Sequence, residues 1–324
     1  MSGLLFWVLI FGLTLVTLII SADFFIRGAE RVGLALGIPH FIIGVTLIAI
    51  GTSLPELVTS IVAVLSSPDD SKIVLGNVVG SNLTNICLVL GVIGAVSGEI
   101  RIQFDVMKVD MPMMLGAAFL LYLCVLNRSF GLTEGIACLV GMGVYLWYVF
   151  QLGRKNRETT KAVEGELGDE LPAADPFSWR DPLILVVSAI VIYFSAKYNV
   201  MSISEISTAL EIGKEYIALT AVSLGTSLPE LVVSIVAIRA GNGEMAVGNI
   251  VGSNIFNVFA VMGIPRLFGE IVVPESLMDF SMPAMLVASC LFFVALLDKV
   301  VNRWEGFIFL IIYFVFLANI IGIA

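Results

Sequence analysis

Long runs of apolar residues, separated by short polar or Gly/Pro stretches, fill most of this chain. Ten of the runs approach or exceed the roughly 18 residues that a helix needs to cross a bilayer. They lie at residues 4–22, 41–66, 73–97, 110–126 and 132–150 in the first half, and at 182–199, 216–238, 245–268, 281–298 and 304–323 in the second. This pattern predicts an all-α polytopic membrane protein of about ten transmembrane helices.

Residues 151–181 interrupt the apolar pattern. They are rich in Arg, Lys, Glu, Asp and Pro and have no apolar periodicity. The segment is also shorter than the roughly 50 residues that a folded domain needs. We therefore expect a mobile linker between a first five-helix unit, residues 1–150, and a second, residues 182–324.

The two halves of the chain repeat one another, with the most similar parts at about 41–97 and 215–268. Two motifs occur in both: GTSLPEL at 51–57 and 225–231, and GNxVGSN at 76–82 and 248–254. Because each half carries about five predicted spans, the odd number inverts the second half in the membrane. Inverted repeats are common in secondary transporters, which bind substrate near the midplane on discontinuous helices.

The composition supports a membrane protein and narrows its partners. Hydrophobic residues make up 59% of the 324 residues and charged residues 13%, about half the charged share of soluble domains. The net charge of −9 argues against nucleic acid as a partner. The sequence indicates no cofactor and no obligatory protein partner, which leaves the lipid bilayer and small solutes.

Positive charge predicts the orientation in the membrane. With residues 151–181 in the cytoplasm, twelve of the 17 Lys and Arg residues lie inside. The five outside are Lys72, Arg128, Lys197, Lys214 and Arg266. We therefore expect both termini outside and the linker inside, with the cell membrane as the location.

The first motif places polar groups where a helix must break. Pro55 has no N–H and leaves the carbonyl of Gly51 unpaired, and in hydrocarbon a free carbonyl is tolerated only where it lines a polar cavity. Thr52, Ser53 and Glu56 share one face of this turn. The second copy repeats the pattern with Gly225, Thr226, Ser227, Pro229 and Glu230.

The second motif forms a stripe of oxygen-bearing side chains. Asn77, Ser81 and Asn85 are spaced one helical turn apart, and Asn249, Ser253 and Asn257 repeat them. The motif glycines, Gly76, Gly80, Gly248 and Gly252, allow close helix approach. Donors that are all oxygen favour alkali and alkaline-earth cations, whereas zinc and copper prefer nitrogen and sulfur.

A calcium ion would fit these donors and would favour antiport. Calcium takes about six to eight oxygens. Bidentate Glu56 and Glu230 supply four, and the carbonyls of Thr52 and Thr226 bring the number to six. An empty site would leave two uncompensated acids, each costing about 2.5–3.5 kcal/mol, so another cation or protons should replace calcium. Neither motif has a His, Cys or Lys companion for the acids, which disfavours an enzyme.

The paired motifs resemble the two α-repeats of the sodium/calcium exchanger family, within the calcium/cation antiporter superfamily. The resemblance covers nearly the whole chain and implies alternating-access exchange of calcium for sodium. It implies calcium binding by Glu56, Glu230 and the carbonyls of Thr52 and Thr226. Sodium-binding or site-lining positions would be Ser53, Ser227, Ser81, Ser253, the carbonyls of Ala49 and Ser223, Asn85 and Asn257, with Asn77 and Asn249 in support.

The chain departs from the family pattern at one position. Well-studied sodium/calcium exchangers carry an Asp at one of the two corners that Asn85 and Asn257 occupy here. An amide cannot ionise, so the site holds at most two negative charges, which leaves the sodium stoichiometry open. Calcium/proton exchange by the same two glutamates is the alternative function, and a cation channel is a less favoured one.

Overall fold

The structure is a computed structural model that describes residues 2–66, 71–167, 178–209, 227–275 and 277–320. Most of these residues are helical, in agreement with the predicted all-α fold. In chain order the helices are α1 (Ser2–Ala35), α2 (His40–Thr52), α3 (Leu54–Ser66), α4 (Lys72–Ser97), α5 (Asp110–Val125), α6 (Leu132–Leu167), α7 (Arg180–Ala209), α8 (Leu228–Arg239), α9 (Gly243–Arg266), α10 (Leu277–Ala295) and α11 (Arg303–Ile320).

The helices follow the predicted apolar runs closely. Among the described residues, seven helices are long and apolar enough to cross a membrane, and α2 with α3 forms an eighth span as a bent pair. Helix α5 is apolar but shorter, and α8 follows residues 210–226, which lie outside the described ranges. The polytopic helical architecture is therefore confirmed, while the full count of ten spans is not.

The polar stretch between the halves is partly helical. Helix α6 continues through Leu167, and α7 begins at Arg180. Our prediction of a linker relied on the missing apolar periodicity. However, Glu, Lys, Arg and Ala are strong helix formers, and they extend α6 without an apolar face. The division into two units and the mobility of the linker remain predictions.

Two short antiparallel sheets connect the halves. Strand β1 (Glu99–Arg101) pairs with β4 (Val300–Asn302), and β2 (Ser129–Phe130) pairs with β3 (Ile271–Val272). An offset of 171 residues makes β1 equivalent to β3 and β2 equivalent to β4. Exchanging the two halves therefore exchanges the two sheets, which is the two-fold relation expected of inverted repeats.

Helices α4 and α9 form the buried centre, and glycine lets α2 cross α9 closely. A Cβ at Gly248 would overlap the carbonyl oxygen of Phe41, and one at Gly252 would overlap that of Val45. The predicted role of these two glycines is thus confirmed. The repeat offset of 174 places the counterparts of Phe41 and Val45 in a part of the chain that the structure does not describe. The close helix approach predicted at Gly76 and Gly80 therefore remains a prediction.

The outer helices pack in pairs and expose apolar side chains as lipid-facing helices do. Helix α1 runs antiparallel to α7, with Gly28 beside Leu185 and the Asn199 Nδ2 donating to the Phe11 carbonyl at 3.3 Å. Exposed residues such as Leu9 and Leu13 line the outer side of α1. This arrangement leaves the polar motif residues in the interior of the helix bundle.

Candidate cation site

Both copies of the first motif have the same backbone geometry at the serine that precedes a helix. Ser53 has φ −91° and ψ 4° between α2 and α3, which are bent by 41°. Ser227 has φ −92° and ψ 7° immediately before α8. Pro55 and Pro229 then lie in the first turn of the following helix, where a missing N–H leaves no hydrogen bond unmade. A helix break is observed between α2 and α3, whereas the chain before Ser227 lies outside the described residues.

The two glutamates are buried at these breaks. Glu56 is 1% exposed in the first turn of α3, and Glu230 is 0% exposed in the first turn of α8. The positive end of each helix dipole partly compensates a carboxylate at such a position. The structure therefore places one buried acid from each repeat at a helix N-terminus.

A hydrogen bond connects the two half-sites. The hydroxyl of Ser53 donates to Oε1 of Glu230 at 3.2 Å, so a residue of the first repeat contacts the acid of the second. Residues of the two motif copies therefore meet at this hydrogen bond.

Several buried oxygens have no hydrogen-bond partner within the described part of the chain. They are both carboxylate oxygens of Glu56, Oε2 of Glu230, Oγ of Ser60, Ser97, Ser227 and Ser253, and Oδ1 of Asn85, Asn254 and Asn257. A buried polar atom without a partner costs about 1–3 kcal/mol, and a charged one costs more. The concentration of these oxygens on the two motifs indicates a site that receives a group from outside the chain, and a hydrogen-bond donor or a cation would satisfy them.

The donor set is mixed rather than a cluster of ionisable ligands. No group of three or more His, Cys, Asp or Glu residues suited to a metal ion occurs among the described residues. The site instead combines two carboxylates with hydroxyl and amide oxygens. Hard cations of the alkali and alkaline-earth groups accept such neutral oxygens alongside carboxylates.

Other predicted positions take part in hydrogen bonds within the protein. The Thr52 hydroxyl donates to Oδ1 of Asn249 at 3.2 Å, and Nδ2 of Asn249 donates to the Ser234 hydroxyl at 3.1 Å. The carbonyl of Ala49 accepts from the Ser53 N–H at 3.0 Å and from the Thr52 hydroxyl at 3.3 Å. Asn249 therefore holds Thr52 in place, which agrees with its supporting role.

The second motif lies on α4 and α9 beside π-helical turns. Asn77, Ser81 and Asn85 are buried on α4, as are Asn249, Ser253 and Asn257 on α9. The π turns span Thr84–Val89 and Asn257–Val261, so one of the two corner asparagines lies at the start of each. Such turns are frequent at functional sites. The apolar periodicity of the sequence did not reveal them.

Sequence reasoning missed two asparagines at this centre, Asn82 and Asn254. The Nδ2 of Asn257 donates to Oδ1 of Asn82 at 3.1 Å, and Asn82 in turn reaches the carbonyl of Asn254. Both residues end the repeated GNxVGSN motif, so their duplication was a usable signal. Their helical spacing places them on a different face from the stripe of Asn77, Ser81 and Asn85, so that spacing did not predict them as site residues.

Part of the second half-site lies outside the described residues. Ser223, Gly225 and Thr226 belong to residues 210–226. Their predicted roles as backbone ligands or as the helix-loosening glycine therefore have no structural test here.

The fold and the site define a membrane transporter of cations. The two repeats each contribute a buried glutamate in the first turn of a helix, and each of these helices packs against a π turn that carries a corner asparagine with an unpaired oxygen. The chain belongs to the sodium/calcium exchanger protein family, whose pattern it matches at residues 6–151 and 181–322.

Relatives and solved structures agree with this assignment. The chain is 32% identical to the sodium/calcium exchanger MaX1 of Methanosarcina acetivorans, over 95% of this chain and 97% of MaX1. It is 33% identical to the putative antiporter CaxA of Alkalimonas amylolytica, over 92% and 93% of the two chains. A structure of the sodium-calcium exchanger NCX_Mj soaked with sodium and calcium matches with a TM-score of 0.81 and 28% identity, over 97% of this chain and 98% of NCX_Mj.

Proposed function

We propose that this protein is a secondary active antiporter that exchanges calcium for sodium across the membrane by alternating access. The observation that carries the proposal is the pair of buried glutamates, one from each inverted repeat, each in the first turn of a helix that follows a serine of matching backbone geometry. Three of their four carboxylate oxygens lack a hydrogen-bond partner among the described residues. Membership of the sodium/calcium exchanger family supports the same function.

In the calcium-loaded state, Glu56 and Glu230 are the charged ligands. Two carboxylates neutralise one divalent ion, and the carbonyls of Thr52 and Thr226 complete six oxygens, within the range that calcium takes. When calcium leaves, the two acids repel each other in a medium of low dielectric constant. Replacement by sodium removes this repulsion before the empty site can face the other side, which couples the two ions.

Sodium would bind at oxygens next to the acids. The proposed ligands are the hydroxyls of Ser53, Ser227, Ser81 and Ser253, the carbonyls of Ala49 and Ser223, and the amide oxygens of Asn85 and Asn257. The unpaired oxygens of Ser227, Ser253, Asn85 and Asn257 support this set. Because the site carries at most two negative charges, exchange of two sodium ions for one calcium ion would leave its net charge unchanged.

Protons are the alternative coupling ion, since each glutamate can take up one. The matched relatives named sodium/calcium exchangers favour sodium. We further propose that the protein lies in the cell membrane with both termini outside and residues 151–181 inside, as the excess of Lys and Arg on that side supports.

Uptake of radioactive calcium into proteoliposomes tests the function. Vesicles loaded with sodium should accumulate calcium when diluted into sodium-free buffer. Vesicles with an outward proton gradient and no sodium should not. Uptake driven by the proton gradient alone would make protons the coupling ion and would contradict sodium exchange.

Substitution of the two glutamates tests the site in the same assay. We expect Glu56→Gln and Glu230→Gln each to reduce sodium-driven calcium uptake at least about 100-fold, because removal of one charged ligand costs several kcal/mol in a buried site. Asp110→Asn is the matched control. Asp110 is also a buried acid, but its carboxylate already accepts a hydrogen bond from the Tyr145 hydroxyl at 2.7 Å. Substantial uptake by either glutamine variant would rule out these ligands.

A further inference from the structure

The two corner asparagines are equivalent in the repeat but not in their contacts. Asn85 and Asn257 are both 0% exposed. The Nδ2 of Asn257 donates to Oδ1 of Asn82 at 3.1 Å. Neither amide atom of Asn85 has a partner among the described residues. Only one of the two corner amides is therefore held in a defined orientation by a neighbouring side chain.

The backbone of α9 fixes the direction of this hydrogen bond. The Nδ2 of Asn82 lies 3.4 Å from the carbonyl oxygen of Asn254, and a carbonyl can only accept. Asn82 must therefore turn its NH2 group to that carbonyl and its Oδ1 to Asn257. An amide oxygen can also only accept, so Asn257 must present its NH2 group to Asn82. Its own Oδ1 then points away from Asn82.

The oxygen left free by this arrangement is suited to a cation. Oδ1 of Asn257 is buried and has no hydrogen-bond partner within the described ranges. The hydroxyl of Ser253, one turn earlier on the same stripe, is unpaired as well. A desolvated carbonyl oxygen without a donor is a typical neutral ligand for sodium or calcium.

We propose that Asn82 is a positioning residue that fixes the Asn257 amide with its oxygen free for the transported cation. The proposal rests on the proposed function, in which Asn257 lines the site. Without Asn82, the Asn257 amide can rotate and present its NH2 group, which repels a cation. Asn82 thus acts on cation affinity through Asn257 and does not itself bind the ion.

The repeat supplies a matched control in Asn254. It is the counterpart of Asn82 and is equally buried, at 3% against 2% exposure. Its Nδ2 donates to the Ile250 carbonyl within its own helix at 2.7 Å. Only its backbone contacts Asn82, and the backbone remains when the side chain is replaced. The Oδ1 of Asn254 is buried without a described partner, as that of Asn257 is, but no described hydrogen bond joins the Asn254 side chain to either corner amide, so it orients neither of them.

The test measures the calcium concentration that gives half-maximal sodium-driven uptake by the full-length protein in proteoliposomes. We expect Asn82→Leu to raise this concentration about five- to ten-fold, the effect of losing one buried hydrogen bond at a ligand. Asn254→Leu should change it less than about two-fold on the same basis. Asn82→Ala serves the same test if the leucine variant does not fold.

A double-variant cycle separates positioning from general destabilisation. Asn257→Ala removes the oriented oxygen, so adding Asn82→Leu to it should cause no further rise. Equal effects of Asn82→Leu and Asn254→Leu, or full additivity with Asn257→Ala, would overturn the proposal. Absence of calcium uptake by the unmodified protein under both gradients would instead overturn the proposed function, and the ligand role of Asn257 with it.

Discussion

At the scale of single residues, the site depends on contacts between side chains of opposite repeats. Ser53 illustrates this, because its hydroxyl donates to Glu230 rather than to the acid of its own motif. A hydrogen bond to a charged group contributes about 1.5–3 kcal/mol. It also fixes the orientation of the carboxylate that receives it. In the proposed site, Ser53 would therefore support calcium binding through Glu230 as well as being a proposed ligand itself.

Replacement of this hydroxyl should weaken cation binding. We expect Ser53→Ala to raise the half-saturating calcium concentration at least about ten-fold, in proportion to the loss of a charge-assisted hydrogen bond. Isothermal titration of calcium into the purified protein measures the change directly. Ser289→Ala is the control, since the buried hydroxyl of Ser289 donates to the Met285 carbonyl within its own helix at 2.8 Å. Unchanged affinity in Ser53→Ala would argue against the role given to this hydroxyl.

At the scale of helices, glycines set how closely the motif helices approach. Helix α2 crosses α9 with backbone against backbone, and a Cβ at Gly252 would overlap Val45. Because main-chain atoms cannot rotate away as a side chain can, even one added methyl group must push the helices apart.

Addition of that methyl group should destabilise the protein. Alanine normally stabilises a helix relative to glycine by about 0.5–1 kcal/mol, whereas overpacking at a rigid crossing costs about 1–3 kcal/mol. We expect Gly252→Ala to lower the thermal midpoint measured in detergent. Gly116→Ala on α5 should leave it unchanged or raise it, since no described atom lies within 4 Å of the added Cβ. Equal midpoints for the two variants would contradict a tight crossing at Gly252.

At the scale of the whole molecule, the two sheets join corresponding ends of inverted halves. Strands β1 and β4 form one sheet. Strands β2 and β3 form the other, in the loops that correspond to those of the first sheet when the two halves are exchanged. If the two halves are inverted across the bilayer, these two sheets must lie on opposite sides of it. The excess of Lys and Arg predicts that the β1–β4 sheet lies on the cytoplasmic side.

Labelling of single cysteines tests this topology. In a background that lacks Cys87, Cys124, Cys138 and Cys290, we expect Arg101→Cys on β1 to react only from the cytoplasmic side. Ser129→Cys on β2 should react with an impermeant reagent added outside. Both residues are exposed, so access should depend on the side of the membrane. Labelling of both cysteines from the same side would contradict an inverted repeat. Labelling of Arg101→Cys from outside and of Ser129→Cys from the cytoplasm would mean that the protein has the opposite orientation in the membrane.

The sequence by itself determined the class of fold and the position of the acids. Long apolar runs require transmembrane helices because the bilayer cannot hydrate an open backbone. The prolines at 55 and 229 determine where helices break, since the missing N–H is a local property of the chain. The duplication of GTSLPE then placed one glutamate at each break. These features depend on residues near one another in the sequence, so reading the sequence was sufficient.

Only the tertiary structure decided which side chains meet. The bond from Ser53 to Glu230, the pairing of Asn257 with Asn82 and the exchange of strands between the halves all join residues more than a hundred positions apart. Periodicity along one helix cannot specify its neighbours, because many helix arrangements bury the same apolar stripe. The packing of the helices brings Asn82 to Asn257, whereas no described side chain holds the amide of Asn85.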